Sequence, residues 1–468
     1  MKFWIEEKDC SACGACQNIC PKDALYLIEN ENGFSYPHID TNKCIDCGKC
    51  QAVCPAKKRD KIAFYLENHS PKPQVFAAWS KNESIRFNST SGGVFSELAH
   101  VILNQNGCIV GAVYDAKCTV FHQIEYNEPG LYRIRQSKYV QSEIRYIFRK
   151  VKKEILSERM VLFCGSPCQI AGLYSYLGEN KDSRYLITVD FICRGANSPK
   201  AYRAWLQSLE KEYGGRVERV WFKNKEEGWN CFSTRVDFTN GAVYRKTRYE
   251  DLFMRSYLER NLFIRPSCTD CHYKGLPRYG DITLADFWKV DKEYDADKGT
   301  SMVLVNTEKG AEIFNRAAEN LEIFERNLEE ATKGNACLYN SVKAGKYSTL
   351  FFERLNSAID FSDIFDEISE KISAENPLIS VLMVADDWSI GLNRTIREIH
   401  NQTYKNIEII LIDIATSKRN EATYQVLKNA RIPIIYIHQL NGNRCEGLNQ
   451  ALKQASGNFI HICDSQTR

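Results

Sequence analysis

The sequence lacks any apolar run approaching the roughly 20 residues of a membrane-spanning helix, which argues against a transmembrane segment. It also lacks a strong charge of either sign: a net charge of +3 at pH 7 favours neither nucleic acid nor a membrane surface as a partner. The opening MKFWIEEKDC has no apolar stretch typical of a secretory leader. Only 19 of the 468 residues are cysteine, and a chain this long needs no disulfides to build a core. We therefore expect a cytoplasmic protein, in whose reducing compartment clustered cysteines indicate metal binding or catalysis.

The cysteines that are present concentrate near the start of the chain. CSACGACQNICP (10–21) and CIDCGKCQAVCP (44–55) share the spacing C-x2-C-x2-C-x3-C-P. This doubled spacing is typical of two-cluster ferredoxins, in which three close cysteines hold one [4Fe–4S] cluster and the fourth reaches the other. Zinc is the alternative, because C-x2-C pairs bind it too. We predict a ferredoxin module over residues 1–66, with one cluster on Cys10, Cys13, Cys16 and Cys54 and a second on Cys44, Cys47, Cys50 and Cys20.

A different pattern follows the short polar linker NHSPKPQ (68–74). Strand-like runs such as GCIVGAVYD (107–115) and YLITVDFIC (185–193) alternate with longer helical stretches, which favours a mixed α/β domain with a largely buried sheet. Small residues at 91–93 precede an amphipathic helix, and the free N–H groups of a helix start can hold a phosphate. An ordinary turn is the alternative at that position.

Several further motifs occur in order after the ferredoxin pattern: TSGGVFSELA (90–99), SKYVQS (137–142), GSPCQIAGL (165–173), DFICRGANSP (190–199), CTDCHY (268–273) and GDITLADFW (280–288). Together they resemble the coenzyme F420 hydrogenase/dehydrogenase beta-subunit family over residues 1 to about 350. Members of that family are iron–sulfur flavoproteins, in which FAD joins one-electron clusters to a two-electron partner. The resemblance implies a central FAD-binding domain over residues 75–350.

The same resemblance implies particular site residues. Those that match the FAD-contacting segments are Ser91, Gly92, Gly93, Lys138, Tyr139, Gln141 and Ser142, with Gly165 and Gln169 as further contacts. A third [4Fe–4S] cluster is implied on Cys168, Cys193, Cys268 and Cys271. The alternatives are a surface strand for Lys138 and Tyr139, and a lone C-x2-C site beside two buried thiols for the late cysteines. Asp281 and Asp286 have either acid–base or loop-capping roles, and no catalytic residue is predicted.

The last part of the chain changes character again. An acidic, amphipathic linker (356–376) leads into a β-α-β-α-β pattern over residues 377–468 that resembles the front half of a family 2 glycosyltransferase with a Rossmann-like GT-A fold. Its acidic region reads DIATSK, which leaves only Asp413, and the position of the metal-binding D-x-D reads Asp464-Ser465-Gln466. Mg²⁺ or Mn²⁺ prefers several hard oxygen ligands. We expect a truncated or vestigial transferase whose role is to dock a partner.

The expected fold class is therefore multidomain α/β and α+β: a two-cluster ferredoxin, a mixed α/β flavin domain and a Rossmann-like GT-A half. The expected function is an FAD-dependent oxidoreductase that passes electrons between [4Fe–4S] clusters and a two-electron substrate. Its expected partners are a ferredoxin-type electron donor or acceptor and an unknown small-molecule substrate. The transferase-like region indicates polysaccharide-biosynthesis enzymes as further partners. The alternatives are an electron-transfer or scaffold subunit without catalysis of its own, and a bifunctional protein with glycosyltransferase activity.

Overall fold

The computed structural model describes residues 5–58, 72–385, 390–414, 432–439 and 443–464. The predicted end of the ferredoxin module, residues 59–66, and most of the linker at 68–74 lie outside these ranges. The chain forms two compact units, residues 1–364 and 365–468. Within the described ranges, no helix is long and apolar enough to cross a membrane.

The cysteine-rich module is built from short elements around a hairpin. Its strands are β1 (Leu25–Glu29) and β2 (Ser35–Ile39), which pair antiparallel, and its helices are α1 (Ala15–Ile19) and α2 (Lys49–Ala52), with a 3₁₀ turn at Pro55–Lys57. Gly14 and Gly48 precede the two helices with φ of +79° and +67°, a left-handed conformation that favours glycine. Each glycine thus lets the chain turn sharply inside a C-x2-C-x2-C loop.

An eight-stranded mixed sheet organises the rest of the first unit, with strand order β13-β3-β12-β11-β7-β6-β4-β5. The strands of this unit are β3 (Gln74–Ser80), β4 (Cys108–Tyr114), β5 (Val120–Glu125), β6 (Val161–Cys164), β7 (Leu186–Phe191), β8 (Val217–Asn224), β9 (Ser233–Phe238), β10 (Val243–Thr247), β11 (Ile282–Asp286), β12 (Ser301–Val305) and β13 (Leu321–Arg326). Strands β4, β6, β7 and β11 run parallel in the centre, whereas β8, β9 and β10 form a separate antiparallel sheet. The predicted mixed α/β architecture is confirmed.

Helices cover both faces of the large sheet, and others pack on the small sheet, where Trp205 and Phe253 contact Phe222 of β8. The helices of this unit are α3 (Glu83–Asn88), α4 (Val94–Leu103), α5 (Glu128–Ile134), α6 (Ile147–Leu156), α7 (Pro167–Leu177), α8 (Pro199–Tyr213), α9 (Leu252–Leu258), α10 (Glu308–Ala317), α11 (Leu328–Lys333) and α12 (Ser348–Asn356). One buried cluster joins α4 and α10 to the sheet. The cluster on the other face joins Phe148 of α6 and Leu173 of α7 to Ala15 and Val53 of the cysteine-rich module. The module therefore shares a hydrophobic core with the central domain.

The second unit contains a small parallel sheet. Helix α13 (Phe361–Glu375) occupies most of the predicted linker and spans the division between the units. It is followed by β14 (Ile379–Ala385), α14 (Ile390–Asn401), β15 (Ile407–Asp413), β16 (Ile434–His438), α15 (Arg444–Gln454) and β17 (Phe459–Asp464). The strand order β16-β15-β14-β17 is the 3-2-1-4 order found in Rossmann-type sheets.

The shared core predicts a large cost for truncating Phe148, which is fully buried beside Phe163 and Tyr176. We expect Phe148→Ala to lower the free energy of unfolding by about 3–5 kcal/mol, because it leaves a cavity in a packed interior. Leu156→Ala on the same helix is the control, since Leu156 is 63% exposed and its change should cost no more than about 0.5 kcal/mol. Anaerobic denaturant titration measures both, and equal effects would contradict the shared core.

Candidate functional site: three cysteine groups and a central cavity

The first group of predicted ligands lies at the junction between the module and the central domain. Cys10, Cys13 and Cys54 are buried, and Cys16 is half-buried. Burial raises the pKa of the Cys16 thiol well above its usual value, and the nearby thiols of Cys13, Cys10 and Cys54 raise it further. The structure thus brings Cys54 to the three cysteines of the first loop, as the crossed ferredoxin pattern predicts.

The second group lies at the outer end of the module. Cys20, Cys44, Cys47 and Cys50 line one cavity of about 360 Å³. Cys47 is exposed. Backbone N–H groups donate to two of the sulfurs, from Ala24 to Cys20 at 3.3 Å and from Asp46 to Cys44 at 3.4 Å. Hydrogen bonds of this kind to cluster ligands are among the features that set a reduction potential.

The third group comes from three separate segments of the chain. Cys168, Cys193, Cys268 and Cys271 all line a central cavity of about 700 Å³. Burial raises the pKa of Cys168 to about 12, with smaller contributions from the thiols of Cys271 and Cys268. The backbone N–H of Ala196 donates to the Cys268 sulfur at 3.4 Å. Four thiols from three distant segments therefore line the same cavity.

Helix α7 connects the third group with the first. It begins at Pro167 with Cys168 in its first turn, and Gly172 lies about one turn further along the same helix. A Cβ atom at Gly172 would lie 3.0 Å from the Cys13 sulfur, so only glycine leaves room for the first cysteine loop. Cys168 is also among the thiols that raise the pKa of Cys13. The two groups are close neighbours.

The predicted FAD contacts surround the same cavity with one exception. Ser91 and Gly93 line it at the start of α4, where Gly93 has a φ of +90°. Gly92 does not line it: a Cβ there would collide with the Ala78 carbonyl oxygen and the Ser301 backbone. Its backbone N–H donates to Ser301 Oγ at 2.9 Å. Gly92 therefore lets strand β12 approach closely, which is a packing role.

Lys138 and Tyr139 lie in a loop and are half-buried, so the surface-strand alternative is wrong. The Lys138 ammonium donates to the carbonyl oxygens of residues 133–136, at 2.7–3.1 Å, and thereby caps the C-terminus of α5. Burial lowers the pKa of Lys138 to about 7, while the carbonyl oxygens favour the charged form. Lys138 therefore lines the cavity, but its ammonium is already hydrogen-bonded to these carbonyl oxygens.

The polar residues at the cavity floor form a chain of hydrogen bonds. Gln169 Oε1 accepts from the backbone N–H of Ser166, which closes a capping box on α7. Gln169 Nε2 lies 3.1 Å from Ser142 Oγ, and Ser142 Oγ lies 3.0 Å from His122 Nδ1. Gly165 lines the cavity beside them. These contacts fix the orientation of the Ser142 and Gln169 side chains.

Gln141 also lines the cavity, but its side chain is hydrogen-bonded outside the Ser142–Gln169 chain. Its Nε2 donates to the Ser11 carbonyl oxygen at 3.2 Å, and its Oε1 accepts from Arg265 at 2.9 Å. It therefore joins the cavity wall to the first cysteine loop. Sequence reasoning missed this link, because no local pattern shows which distant backbone group an amide will meet.

Charge is unevenly distributed around the cavity. Eight cations line it: Arg135, Lys138, Arg194, Lys223, Arg248, Arg265, Lys274 and Arg278. The carboxylates among the described lining residues are Asp190 and Asp286. An excess of positive charge in a partly enclosed space favours an anionic ligand.

The two aspartates of the GDITLADFW motif have different surroundings. Asp281 is buried away from the cavity, and its Oδ2 accepts from the backbone N–H and the hydroxyl of Thr188, both at 2.8 Å. Asp286 lines the cavity and forms an ion pair with Lys223. The Lys223 ammonium also lies over the ring of Trp288, 4.5 Å from its centroid. Lys223 was not predicted, because its pairing with Asp286 joins two separate sheets.

In the second unit two aspartates lie at strand ends, Asp413 in β15 and Asp464 in β17. Asp413, at the end of β15, is buried and accepts from Tyr436 Oη at 2.5 Å and lies 3.2 Å from His438 Nδ1. Most of the predicted DIATSK region and the Ser465-Gln466 part of the predicted metal motif lie outside the described residues. Among the described residues, no group of three or more His, Cys, Asp or Glu side chains has the spacing for a single metal ion.

Comparison with protein families finds three matches along the chain. Residues 9–58 match the 4Fe-4S dicluster domain, and residues 158–331 match the C terminus of the coenzyme F420 hydrogenase/dehydrogenase beta subunit. Residues 390–466 match glycosyl transferase family 2. The resemblances inferred from the sequence motifs are confirmed over these ranges.

Two individual proteins are similar to parts of the chain. An uncharacterized glycosyltransferase of Haemophilus influenzae is 32% identical over 90 residues, which are 19% of this chain and 36% of that protein. The chain thus spans about a third of the length of this curated relative. A chain of the F420-reducing [NiFe] hydrogenase complex from Methanosarcina barkeri is 18% identical, with a TM-score of 0.39, over 66% of this chain and 94% of that chain. Similarity at that level supports no conclusion about function.

The third cysteine group generates a prediction about metal content. If it binds a cluster, anaerobically reconstituted protein should carry about 12 irons per chain, as three clusters of four. Cys268→Ser should reduce this number to about 8, because one thiolate ligand is lost from the cavity wall. Cys231→Ser is the control, since Cys231 is exposed and does not line the cavity. An unchanged iron content in Cys268→Ser, or zinc instead of iron in the wild-type chain at this group, would show that the third group does not hold an iron–sulfur cluster.

Proposed function

We propose that this chain is an FAD-dependent iron–sulfur oxidoreductase that transfers electrons between one-electron carriers and a two-electron substrate. The family matches support an iron–sulfur electron-transfer oxidoreductase. The observation that carries the finer proposal is the central cavity, since the same space is lined by the four cysteines of the third group and by eight of the nine residues predicted to contact FAD. Its volume of about 700 Å³ falls within the usual range for cofactor sites, roughly 300–1,000 Å³.

The order of the three cysteine groups supports a path for electrons between the protein surface and the cavity. In the proposal, clusters bound at the three groups each carry one electron at a time, and FAD bound in the cavity couples these single electrons to a two-electron reaction. The second group provides the contact with an external donor or acceptor, because Cys47 is exposed and the neighbouring Ile45 is 57% exposed. The first group is buried between the second and the cavity wall.

The residues of the cavity are suited to hold a dinucleotide. The N-terminus of α4 supplies backbone N–H groups, and Gly93 allows the chain to enter that helix without a side chain. The surrounding cations complement a diphosphate. Burial lowers the pKa of His122 to about 4, so its ring is neutral at pH 7. Because the Cys164 carbonyl oxygen can only accept, Nε2 carries the proton, and Nδ1 accepts from Ser142.

The substrate end of the proposed site lies at the wall formed by Lys223, Asp286 and Trp288. Trp288 stacks on Trp229 with ring centroids 4.6 Å apart, which gives this wall a rigid aromatic face. Arg248 lines the cavity nearby, over the ring of Phe232. We infer a substrate with at least one negative charge, since Arg248 lines this wall beside the Lys223–Asp286 ion pair.

The FAD assignment predicts the effect of filling the cavity. Ala112 of β4 lines it, so Ala112→Phe should reduce FAD released by acid extraction by more than tenfold and leave the iron content of the ferredoxin module unchanged. Ala112→Ser is the matched control and should keep its FAD. Gly93 is a poorer target, because a Cβ there would lie 3.2 Å from Ile85 and the φ of +90° adds strain.

The outcome of that experiment also separates the two redox alternatives. Release of no flavin by the wild-type chain would leave an electron-transfer or scaffold subunit as the better account. Release of FAD, together with turnover of the isolated chain by a low-potential donor, supports an enzyme with catalysis of its own.

For the second unit we propose a docking role without sugar transfer. A GT-A enzyme needs a carboxylate-held metal to stabilise the leaving nucleoside diphosphate, and the D-x-D position here keeps Asp464 followed by serine and glutamine. Asp413 is already hydrogen-bonded to Tyr436. We expect no transfer from UDP-glucose, UDP-galactose or GDP-mannose by the full chain, with or without Mn²⁺. Metal-dependent transfer would make the protein bifunctional.

A further inference from the structure

Arg265 is a fully buried cation at the boundary between the cysteine-rich module and the cavity. Its guanidinium donates to the Cys10 carbonyl oxygen at 2.8 Å, to Gln141 Oε1 at 2.9 Å and to the Ser35 carbonyl oxygen at 2.9 Å. All three acceptors are neutral. Within the described ranges, no carboxylate forms an ion pair with it.

Its position places it beside two of the cysteine groups. The side chain contacts the backbone of Cys10, in the first group. The backbone of Arg265 contacts the third group, because its carbonyl oxygen accepts a hydrogen bond from the N–H of Cys268 at 2.9 Å. The guanidinium carbon lies over the ring of Tyr36, 4.6 Å from its centroid. Arg265 thus stands between the first and third groups, shielded from water.

An unpaired buried charge is costly, because it loses hydration and gains no counter-charge. A cluster held by four thiolates is anionic, and its net charge is one of the features that set its reduction potential. We propose that Arg265 is a counter-charge of the clusters at the first and third groups, and that it raises their reduction potentials. This inference rests on the proposed function, in which those groups hold clusters.

Arg149 offers a matched control within the same chain. Its guanidinium makes the same kind of contact, to the carbonyl oxygen of a cysteine in the second group, Cys20, at 2.6 Å. Unlike Arg265, it is one-third exposed and forms an ion pair with Asp23 at 2.7 Å. Solvent and the carboxylate both screen its charge. Replacing it removes a similar hydrogen bond without removing an unscreened cation.

The test is a redox titration of the reconstituted full chain, monitored by electron paramagnetic resonance. We compare wild type, Arg265→Gln, Arg265→Lys and Arg149→Gln, after measuring iron in each. Arg265→Gln should shift the reduction of the first and third clusters to lower potential and leave the second cluster unchanged. Arg149→Gln should leave the first and third clusters at their wild-type potentials.

The lysine variant separates charge from structure. Its ammonium keeps the positive charge but cannot reproduce the three directed hydrogen bonds of the guanidinium. In Arg265→Lys the potentials should therefore lie nearer to wild type than those of Arg265→Gln. A merely structural tie between the modules predicts the same potentials in both variants.

Each result decides the proposal. Full iron in all variants with unshifted potentials would overturn the role of Arg265 and leave the oxidoreductase assignment intact. Loss of iron from both Arg265 variants, with Arg149→Gln intact, would show a structural tie and also overturn the electrostatic role. Missing iron at the first and third groups in wild type would instead contradict the proposed function itself.

Discussion

The contact between helix α7 and the first cysteine loop is the constraint on which the rest of the site depends. One helix presents Cys168 to the cavity and, about a turn later, presents Gly172 to Cys13 without a side chain between them. The buried cluster that includes Ala15 and Val53 fixes the module to the same helix. Because this interface is part of a packed core, the distance between the first and third cysteine groups cannot vary freely.

The charge around the cavity follows from the same arrangement. A net charge of +3 for the whole chain conceals a cavity lined by eight cations. Several of these cations already have partners: Lys138 caps α5, and Arg278 pairs with Asp190 at 3.1 Å. Arg265 differs from Arg278 because its acceptors are neutral, and from Lys138 because it lies between the first and third cysteine groups. Anionic clusters and an anionic cofactor would balance such a site, which links the folding of this region to cofactor loading.

The sequence allowed the local features to be predicted well and the long-range ones only in part. Cysteine spacing predicted the crossing of Cys54 into the first group, because the spacing itself has a geometric meaning. Alternating apolar runs predicted the central sheet, and the amphipathic stretch at 356–376 contains helix α13. The capping roles of Lys138 and Gln169 and the links made by Gln141 and Arg265 were missed. The links made by Gln141 and Arg265 depend on atoms supplied by distant segments, and no local pattern reports such contacts. The two capping roles are local, because Lys138 contacts carbonyl oxygens of residues 133–136 and Ser166 and Gln169 form an S-x-x-Q capping box, a pattern that can be read from the sequence.

The central claim is that three clusters lie in one compact unit, with the first and third as close neighbours. Electron paramagnetic resonance of the fully reduced full chain tests it most directly, because the unpaired electrons of neighbouring clusters couple magnetically. The account predicts a signal that integrates to three reduced clusters per chain and shows splitting from this coupling. In Cys268→Ser, the splitting that arises between the first and third clusters should disappear. Signals from two clusters alone, with the same coupling in wild type and Cys268→Ser, would contradict it.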